Sequence, residues 1–226
     1  MEIRFLGHAC FELTEGDTRV LVDPFLTGNP KAAASADEVE PTHILLTHGH
    51  ADHYGDIEAI AKRTGAQVVA IVEIANELGE AGVENVSDPN LGGTVKFDWG
   101  WVKLVPAWHT STTPKGQVNV PAGLLIGIGG KTVYHLGDTA LFSDLELIAR
   151  RGDPIDVALM CIGGHYTMDR IDAVTAAEFV GATTVIPCHY DTFPPIETDV
   201  QAFKSEVESQ TSSKVEVLEP GATFSA

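Results

Sequence analysis

The chain has 226 residues, of which 44% are hydrophobic and 20% charged, a composition that suits a globular domain with a sizeable core. Its 14 Lys and Arg residues face 32 Asp and Glu residues, and the formal net charge of −18 argues against a broad nucleic-acid-binding surface. The apolar runs are too short to span a bilayer, the N-terminus shows no signal peptide, and the 3 scattered cysteines indicate no disulfide framework, so a cytoplasmic location is expected.

The first part of the chain is predicted to form short strands. They cover residues 3–6, 10–13, 19–22 and 43–46. A turn at residues 15–17 suits a hairpin between the second and third strands, and Pro24 ends the third. Asp56 is predicted to cap a helix over residues 57–64, which Gly65 closes.

Strands and helices alternate over the rest of the chain. Strands are predicted at residues 67–71, 95–97, 101–105, 123–128, 132–135, 155–160, 184–187 and 215–218, and helices at residues 73–79, 141–150, 171–180 and 198–209. No internal repeat, low-complexity tract or clear linker divides the chain, so residues 1–226 are predicted to form a single domain. Two β-rich halves with helices outside them predict an α+β fold in αββα layers.

Metal-ligand side chains are concentrated directly after the strand at residues 43–46. The segment HGHADH contributes three histidines and one aspartate, which are His48, His50, Asp52 and His53. Neutral imidazole and carboxylate groups are suitable ligands for zinc, iron, manganese or nickel. A hydrophilic loop with incidental histidines is the alternative, and the density of ligand-type residues argues against it.

The HGHADH segment resembles the His-x-His-x-Asp-His motif of the metallo-β-lactamase superfamily. Later ligands of that family are matched in order by His109, Asp138 and His189, so the resemblance spans most of the chain. It implies a four-layer αββα sandwich of the metallo-β-lactamase type. By this resemblance, one metal would be held by His48, His50 and His109. The second would be held by Asp52, His53 and His189, with Asp138 bridging the two.

A finer resemblance is to a small branch of uncharacterised metal-dependent hydrolases near the ascorbate-6-phosphate lactonase-like enzymes. The segments that carry it are FLGHAC at residues 5–10, VDPF at 22–25, GGHYTM at 163–168 and HYDTFP at 189–194. This branch has no settled substrate, so the resemblance implies none for this chain.

The leading interpretation is a hydrolase that uses a metal-bound hydroxide to cleave an ester, lactone or phosphoester bond of a small molecule. Asp52 is the candidate for accepting the proton as the attack begins. The expected cofactors are two divalent metal ions, with zinc as the first choice and manganese, nickel or iron as alternatives. The substrate is expected to be a small molecule that could be anionic, and neither nucleic acid nor membrane is expected as a partner.

Two further histidines are candidate catalytic residues. His8, in the turn after the first strand, could contact the substrate or only hydrogen-bond to the turn. His165, in a Gly-rich loop, could protonate a leaving group or hold an anion. Tyr190 could reach the pocket. Asp23 could hydrogen-bond to the far nitrogen of a ligand histidine or simply form a turn, and Asp191 has the same two interpretations.

Two other functions are compatible with the same ligand residues. An iron-dependent oxidoreductase could use the same ligands, but the chain has no room for the flavin domain that such enzymes usually carry. A non-catalytic metal-binding protein is disfavoured by the complete ligand set. His43 and His135 are interpreted as structural. A homo-oligomer is compatible with the family, although the sequence carries no interface signature.

Overall fold

The computed structural model describes residues 1–150, 152 and 154–226. The strands in this part are β1 (Glu2–Gly7), β2 (Cys10–Glu15), β3 (Thr18–Val22), β4 (His43–Leu45), β5 (Gln67–Val69), β6 (Val86–Ser87), β7 (Thr94–Phe97), β8 (Gly100–Pro106), β9 (Ala122–Ile128), β10 (Lys131–His135), β11 (Val157–Cys161), β12 (Thr184–Cys188), β13 (Lys214–Val215) and β14 (Thr223–Ser225). The helices are α1 (Ala51–Tyr54), α2 (Ile57–Thr64), α3 (Val72–Glu80), α4 (Asp144–Ala149), α5 (Arg170–Val180) and α6 (Val200–Gln210), and a 3-10 turn covers Pro194–Ile196. Across these residues, none of the helices has the length and apolar character needed to cross a membrane.

The strands form two sheets of the same internal design. The first has the order β14-β1-β2-β3-β4-β5-β6, and the second has the order β13-β12-β11-β10-β9-β8-β7. In the first sheet, β1 to β3 pair antiparallel and β3 to β6 pair parallel. In the second, β7 to β10 pair antiparallel and β10 to β13 pair parallel. Strands β1, β3 and β4 therefore run in one direction, as do β8, β10, β11 and β12, and their carboxyl ends share one edge of each sheet.

Alternate residues of the second sheet face two different hydrophobic clusters. In β11, Val157 and Leu159 join a cluster that also contains residues of the first sheet. Ala158 and Met160 join a second cluster, which includes buried residues of α5 and α6. Because successive strand residues point to opposite faces, one cluster lies between the sheets and the other under the helices. This layering confirms the predicted α+β sandwich.

The predicted elements are present, but several of their ends differ. The strand predicted at residues 215–218 shares only Val215 with β13, and the helix predicted at residues 141–150 is shortened to α4. The helix predicted from residue 198 begins later, because Asp199 caps α6 by accepting a hydrogen bond from the backbone N of Ala202. The sequence did not predict α1, β6 or β14, which are all short.

Asp56 occupies the predicted N-cap position of α2, but its side chain does not cap the helix. Helix α2 begins after Asp56 as expected, but the carboxylate makes no capping hydrogen bond. Its Oδ2 instead accepts hydrogen bonds from the backbone N atoms of Leu26 (3.1 Å) and Thr27 (2.8 Å). Asp56 has φ −94° and ψ 14° rather than the extended backbone of a typical N-cap, and this turns its carboxylate towards the loop after β3.

Candidate metal centre

The candidate ligands follow strands whose carboxyl ends lie at the shared edge of the sheets. On the first sheet, His8 comes directly after β1, and the segment with His48, His50, Asp52 and His53 begins shortly after β4. On the second sheet, His109, Asp138 and His189 follow β8, β10 and β12. The structure therefore brings together side chains that are distant in the sequence.

Hydrogen bonds between the two sheets hold this edge together. The backbone N of His189 donates to the carbonyl O of His8 (2.7 Å), and the backbone N of Ala122 donates to the carbonyl O of Thr47 (2.9 Å). Within the ligand segment, the backbone N of Gly49 donates to Oγ of Ser111 (2.8 Å). These bonds fix the ligand segments of one sheet against those of the other.

The first group of ligand-type atoms consists of His48, His50, His109 and Asp138, whose donor atoms all lie within 4.8 Å of one another. Nδ1 of His50 lies 3.1 Å from Nε2 of His48 and 3.3 Å from Nε2 of His109. Oδ2 of Asp138 lies 3.5 Å from Nε2 of His109 and 3.8 Å from Nε2 of His48. Three ring nitrogens and one carboxylate oxygen thus surround a single point.

The second group consists of His8, Asp52, His53 and His189, again with donor atoms within 4.8 Å of one another. Oδ2 of Asp52 lies 3.1 Å from Nε2 of His8 and 3.7 Å from Nε2 of His189. The group contains the three residues predicted for the second metal, together with His8, which was predicted only as a catalytic residue.

Asp138 lies between the two groups. Its Oδ1 is 3.2 Å from Nε2 of His53, and its Oδ2 is 3.2 Å from Nε2 of His189. The same Oδ2 approaches the histidines of the first group. A carboxylate that faces both groups has the position that a bridging ligand would need.

The donor atoms fit metal ions better than they fit one another. Among the residues that the structure describes, the buried Nε2 of His53, both ring nitrogens of His189 and Oδ1 of Asp138 have no hydrogen-bond partner. Buried polar atoms are rarely left unpaired, because desolvation without a partner costs roughly 1–3 kcal/mol for each group. Imidazole and carboxylate donors would satisfy zinc or a similar divalent cation in these positions.

The protonation behaviour of the centre reflects burial and mutual attraction. Burial lowers the pKa of His53 and His189, but the Asp138 carboxylate outweighs it: the pKa of His53 rises well above its usual value and that of His189 rises to about 9. Burial opposes ionisation of Asp138 and Asp52, yet the neighbouring histidines hold both carboxyl pKa values below the usual range. The raised histidine pKa values and the lowered carboxyl pKa values mean that this cluster favours positive charge beside its carboxylates, which a bound cation would also supply.

An outer layer of hydrogen bonds orients the ligands. Oδ2 of the fully buried Asp23 accepts from Nδ1 of His53 (2.7 Å) and from Oγ1 of Thr47 (2.7 Å). Its Oδ1 accepts from the backbone N of Thr47 (2.8 Å). Because Nδ1 of His53 is engaged by Asp23, its Nε2 is left to face Asp138. The structure thus assigns Asp23 the orienting contact that was one of its two predicted roles.

His8 is held from both sides of its ring. Nδ1 lies 2.8 Å from Oγ1 of Thr192, and Nε2 lies 3.1 Å from Oδ2 of Asp52. Burial lowers the pKa of His8 to about 4, so the ring is neutral at pH 7. An ionised Asp52 can only accept, so Nε2–H donates to Asp52, and the Thr192 hydroxyl donates to Nδ1.

Several site residues have unusual backbone conformations. His8, Asp23 and His189 have φ values of 61°, 47° and 53°, in the left-handed region that non-glycine residues seldom adopt. Each follows directly after a strand. Such strain costs roughly 1–3 kcal/mol per residue and tends to cluster at functional sites.

Both groups of ligands border a cavity of about 530 Å³. The candidate ligands that line it are His50, Asp52, His109, Asp138 and His189, and the other lining residues are Phe25, Ala51, Thr110, Tyr166, Phe193 and Pro195. A cavity of about 610 Å³ beside α4 is larger, but it contains none of the candidate ligands. The smaller cavity is therefore the candidate active site, because the reactive side chains converge there.

Three other predicted residues are not brought into this cavity. His165 is exposed and packs edge-on against Tyr166, with ring centroids 4.5 Å apart. Tyr190 lines a separate small cavity behind His8. Asp191 is exposed and accepts a hydrogen bond from the backbone N of Thr198 (2.9 Å), which is the turn role of its two predicted roles.

His43 and His135 have the structural roles that the sequence predicted. Nε2 of His43 accepts a hydrogen bond from Nε1 of Trp99 (3.0 Å). His135 is buried, its Nδ1 accepts from the backbone N of Gly137 (3.0 Å), and its Nε2 donates to the carbonyl O of Ala9 (3.2 Å). Neither residue belongs to a ligand group.

The sequence did not single out Thr47, Thr192 or the aromatic cavity wall as parts of the site. Thr47 precedes the ligand segment, and Thr192 lies in the HYDTFP segment. Their positions beside recognised motifs were the available signal, but short hydroxyl side chains are common in turns. Phe25 and Phe193 could equally have been core residues, so only the fold reveals that they face the cavity.

Comparison with known proteins identifies relatives along most of the chain. The family model described as "Beta-lactamase superfamily domain" matches residues 2–189. A UPF0173 metal-dependent hydrolase of Thermus thermophilus is 49% identical over 204 residues, which cover 90% of this chain and 89% of the relative. A UPF0173 metal-dependent hydrolase of Shouchella clausii is 47% identical over 230 residues, which cover 99% of each chain.

The fold comparison agrees with the sequence comparison. The structure of Igni18, described as a novel metallo hydrolase from the archaeon Ignicoccus hospitalis, has a TM-score of 0.89 and 36% sequence identity. The match covers 100% of this chain and 98% of that one. The finer resemblance to the ascorbate-6-phosphate lactonase-like branch has no counterpart among these matches. The chain therefore belongs to the UPF0173 metal-dependent hydrolase family of the metallo-β-lactamase superfamily.

Proposed function

We propose that the protein is a dinuclear metal hydrolase that cleaves an ester, lactone or phosphoester bond of a small molecule. The observation that carries the proposal is the position of Asp138 between two groups of ligand-type atoms that border one cavity. Two cations held a few ångströms apart could stabilise both the attacking and the leaving oxygen during hydrolysis of such a bond.

The proposed ligand division follows the two groups. His48, His50 and His109 would hold one ion, Asp52, His53 and His189 would hold the other, and Asp138 would bridge them. Zinc is the first choice because nitrogen donors predominate, with manganese, nickel and iron as alternatives. When bound, the two ions would acidify a water molecule to a pKa near 7 and stabilise the negative charge that develops on the substrate.

Asp52 and His8 act together in this proposal. The lowered pKa of Asp52 favours an ionised ligand over a strong base, so it could accept a proton only from water that is already acidified. The neutral ring of His8 donates to Oδ2 of Asp52 and fixes the direction of its carboxylate. His165 lies outside the cavity wall and could act only on a substrate that extends past Tyr166.

The metal content of the purified protein tests the proposal. We expect about two equivalents of zinc, manganese or nickel per chain by plasma mass spectrometry, and loss of metal in His50→Ala. His43→Ala is the matched control, because this histidine contacts Trp99 outside the centre, and its metal content should equal that of the wild type. Absence of metal from the wild type after reconstitution would refute the ligand assignment.

Two further outcomes separate the alternatives. Dominant iron would favour the oxidoreductase interpretation. Full metal loading without turnover of any ester, lactone or phosphodiester in a broad panel would favour a metal-binding protein without catalytic activity. The cytoplasmic location and the homo-oligomer stay predictions.

A further inference from the structure

Apart from the candidate ligands, the walls of the candidate active site are mostly apolar. Apart from the candidate ligands, the cavity is lined by three aromatic residues, one alanine, one proline and one threonine. Among the described residues that line it, none is Lys or Arg. Its volume of about 530 Å³ is within the range of small-molecule sites, so it could hold a substrate with one ring-sized substituent.

One wall is formed by two phenylalanines from opposite parts of the sequence. The ring centroids of Phe25 and Phe193 are 6.4 Å apart, and both rings meet His8 edge-on at 5.7 Å and 5.6 Å. His8 in turn contacts Asp52, so the aromatic wall begins beside the second ligand group. A substituent next to the bond under attack would lie against this wall.

The charges around the cavity favour an uncharged substrate. The positive charge of two divalent cations would exceed the negative charge of Asp52 and Asp138. The remaining positive charge could stabilise one developing oxyanion. A second anionic group further out would find no Lys or Arg among the described lining residues, and a charge without such a partner is costly beside the apolar side chains. The net charge of −18 would also repel anions at longer range.

We propose that the substrate is an uncharged ester or lactone that carries an aromatic or branched aliphatic group next to the scissile bond. The inference rests on the proposed hydrolase function and narrows its substrate class. It disfavours the anionic substrates that the sequence left open, including phosphorylated lactones.

Three γ-lactones that differ in one substituent test the proposal on zinc-loaded protein. They are γ-butyrolactone, γ-phenyl-γ-butyrolactone and γ-carboxy-γ-butyrolactone, and turnover is followed by acid release at constant pH. Burial of the phenyl ring against the wall should raise kcat/KM by about tenfold or more over the unsubstituted lactone. The carboxylate should lower kcat/KM below that of the unsubstituted lactone.

A variant of the wall and a matched control locate the effect. Phe193→Ala should reduce the preference for the phenyl lactone to about threefold or less, because half of the aromatic wall is removed. Phe179 is a half-buried residue of α5 that packs in the second hydrophobic cluster, under the helices. Phe179→Ala should therefore keep the wild-type preference. Melting curves check that both variants are folded.

Binding supplies a readout that does not depend on turnover. Calorimetry compares 5-phenyl-2-pyrrolidinone with pyroglutamate, which are the phenyl and carboxylate γ-lactams. The proposal is supported if the phenyl compound binds more tightly and this advantage weakens in Phe193→Ala. If the same binding result is obtained but no lactone is cleaved, the substrate class stands and only the proposed hydrolysis of lactones fails. Tighter binding or faster turnover of the carboxylate compound, or a preference unchanged by Phe193→Ala, overturns the substrate class.

Discussion

At the scale of single residues, the surroundings of a histidine decide its role. His53 and His135 are both buried, but the partners of their ring nitrogens differ. Asp23 engages Nδ1 of His53 and leaves Nε2 facing Asp138, whereas backbone groups engage both nitrogens of His135. A ring nitrogen can hold a metal only if no other partner occupies it, so the hydrogen-bond partners distinguish a ligand from a structural residue.

Asp23→Asn is expected to weaken metal binding without unfolding the protein. The amide can still accept from the backbone N of Thr47, but it no longer stabilises the Nδ1–H of His53 as a carboxylate does. Loss of such an orienting carboxylate typically costs about 10–100-fold in metal affinity. Competition with a chromophoric chelator measures the change. Asp98→Asn, at an exposed turn, is the control, and equal affinities in the two variants would contradict the orienting role.

At the scale of elements, the site depends on how tightly the chain turns after each strand. The turns after β1, β3 and β12 place His8, Asp23 and His189 in left-handed backbone conformations. The turn after β11 packs against the turn after β12: a Cβ atom on Gly163 would lie 2.2 Å from the carbonyl O of His189 and 2.9 Å from Cβ of Ile196. The absence of a side chain at Gly163 thus allows His189 to reach its position.

Gly163→Ala should therefore displace His189, lower the metal content and destabilise the fold by about 1–3 kcal/mol, the usual cost of overpacking. Gly79→Ala provides the contrast, because a Cβ atom there meets nothing within 4 Å and the residue lies in helix α3. This second change should raise stability by roughly 0.5–1 kcal/mol through helix propensity. Urea denaturation and metal analysis measure both variants. Full metal content in Gly163→Ala would show that the close approach is not required.

At the scale of the whole molecule, the metal centre adds a cluster of carboxylates to a chain that is already acidic. Asp138, Asp23 and Asp52 converge on the histidines of the second group, and Asp138 and Asp23 are buried. In the metal-free protein, protons on His53 and His189 provide the balancing positive charge. A cation that replaces these protons joins the two sheets through side chains of both.

This exchange predicts a pH dependence of stability for the metal-free protein. The pKa of His189 is raised to about 9 and that of His53 lies well above its usual value, so between pH 7 and 8 the folded state binds more protons than the unfolded state. Stability from a raised pKa is lost as the pH rises through this window, by up to about 1.4 kcal/mol per group and pH unit.

Urea denaturation at pH 7 and pH 8 in the presence of a chelator measures the effect, and we expect a loss of about 1 kcal/mol or more. The metal-loaded protein should show no such loss, because its ligand histidines are already neutral. Stability of the metal-free protein that stays level or increases over this interval would contradict the proposed protonation of the centre.

The sequence predicted much of the centre because ligand chemistry is local in type and in spacing. Imidazole and carboxylate groups at residues 48–53 indicate a metal before any fold is known, and the later ligands follow predicted strands. The same reasoning gave His8 two possible roles, because the local sequence is the same whether a turn histidine contacts the substrate or only hydrogen-bonds to the turn. It also predicted that Asp56 caps a helix, because the local sequence indicates where the helix begins. The sequence does not indicate that the Asp56 carboxylate contacts the loop after β3.

The sequence alone therefore determined the superfamily, through the resemblance of the HGHADH segment and the later ligands to its motif. It also determined the α+β layers and the ligand types, because periodicity, strand ends and ligand chemistry are properties of short segments. Only the tertiary structure decided which ring nitrogens are free, that Asp138 faces both groups, that His8 contacts Asp52, and that Phe25 and Phe193 form one wall. These features join residues from separate segments of the chain, and their relative positions follow from the packing of the two sheets rather than from any local pattern.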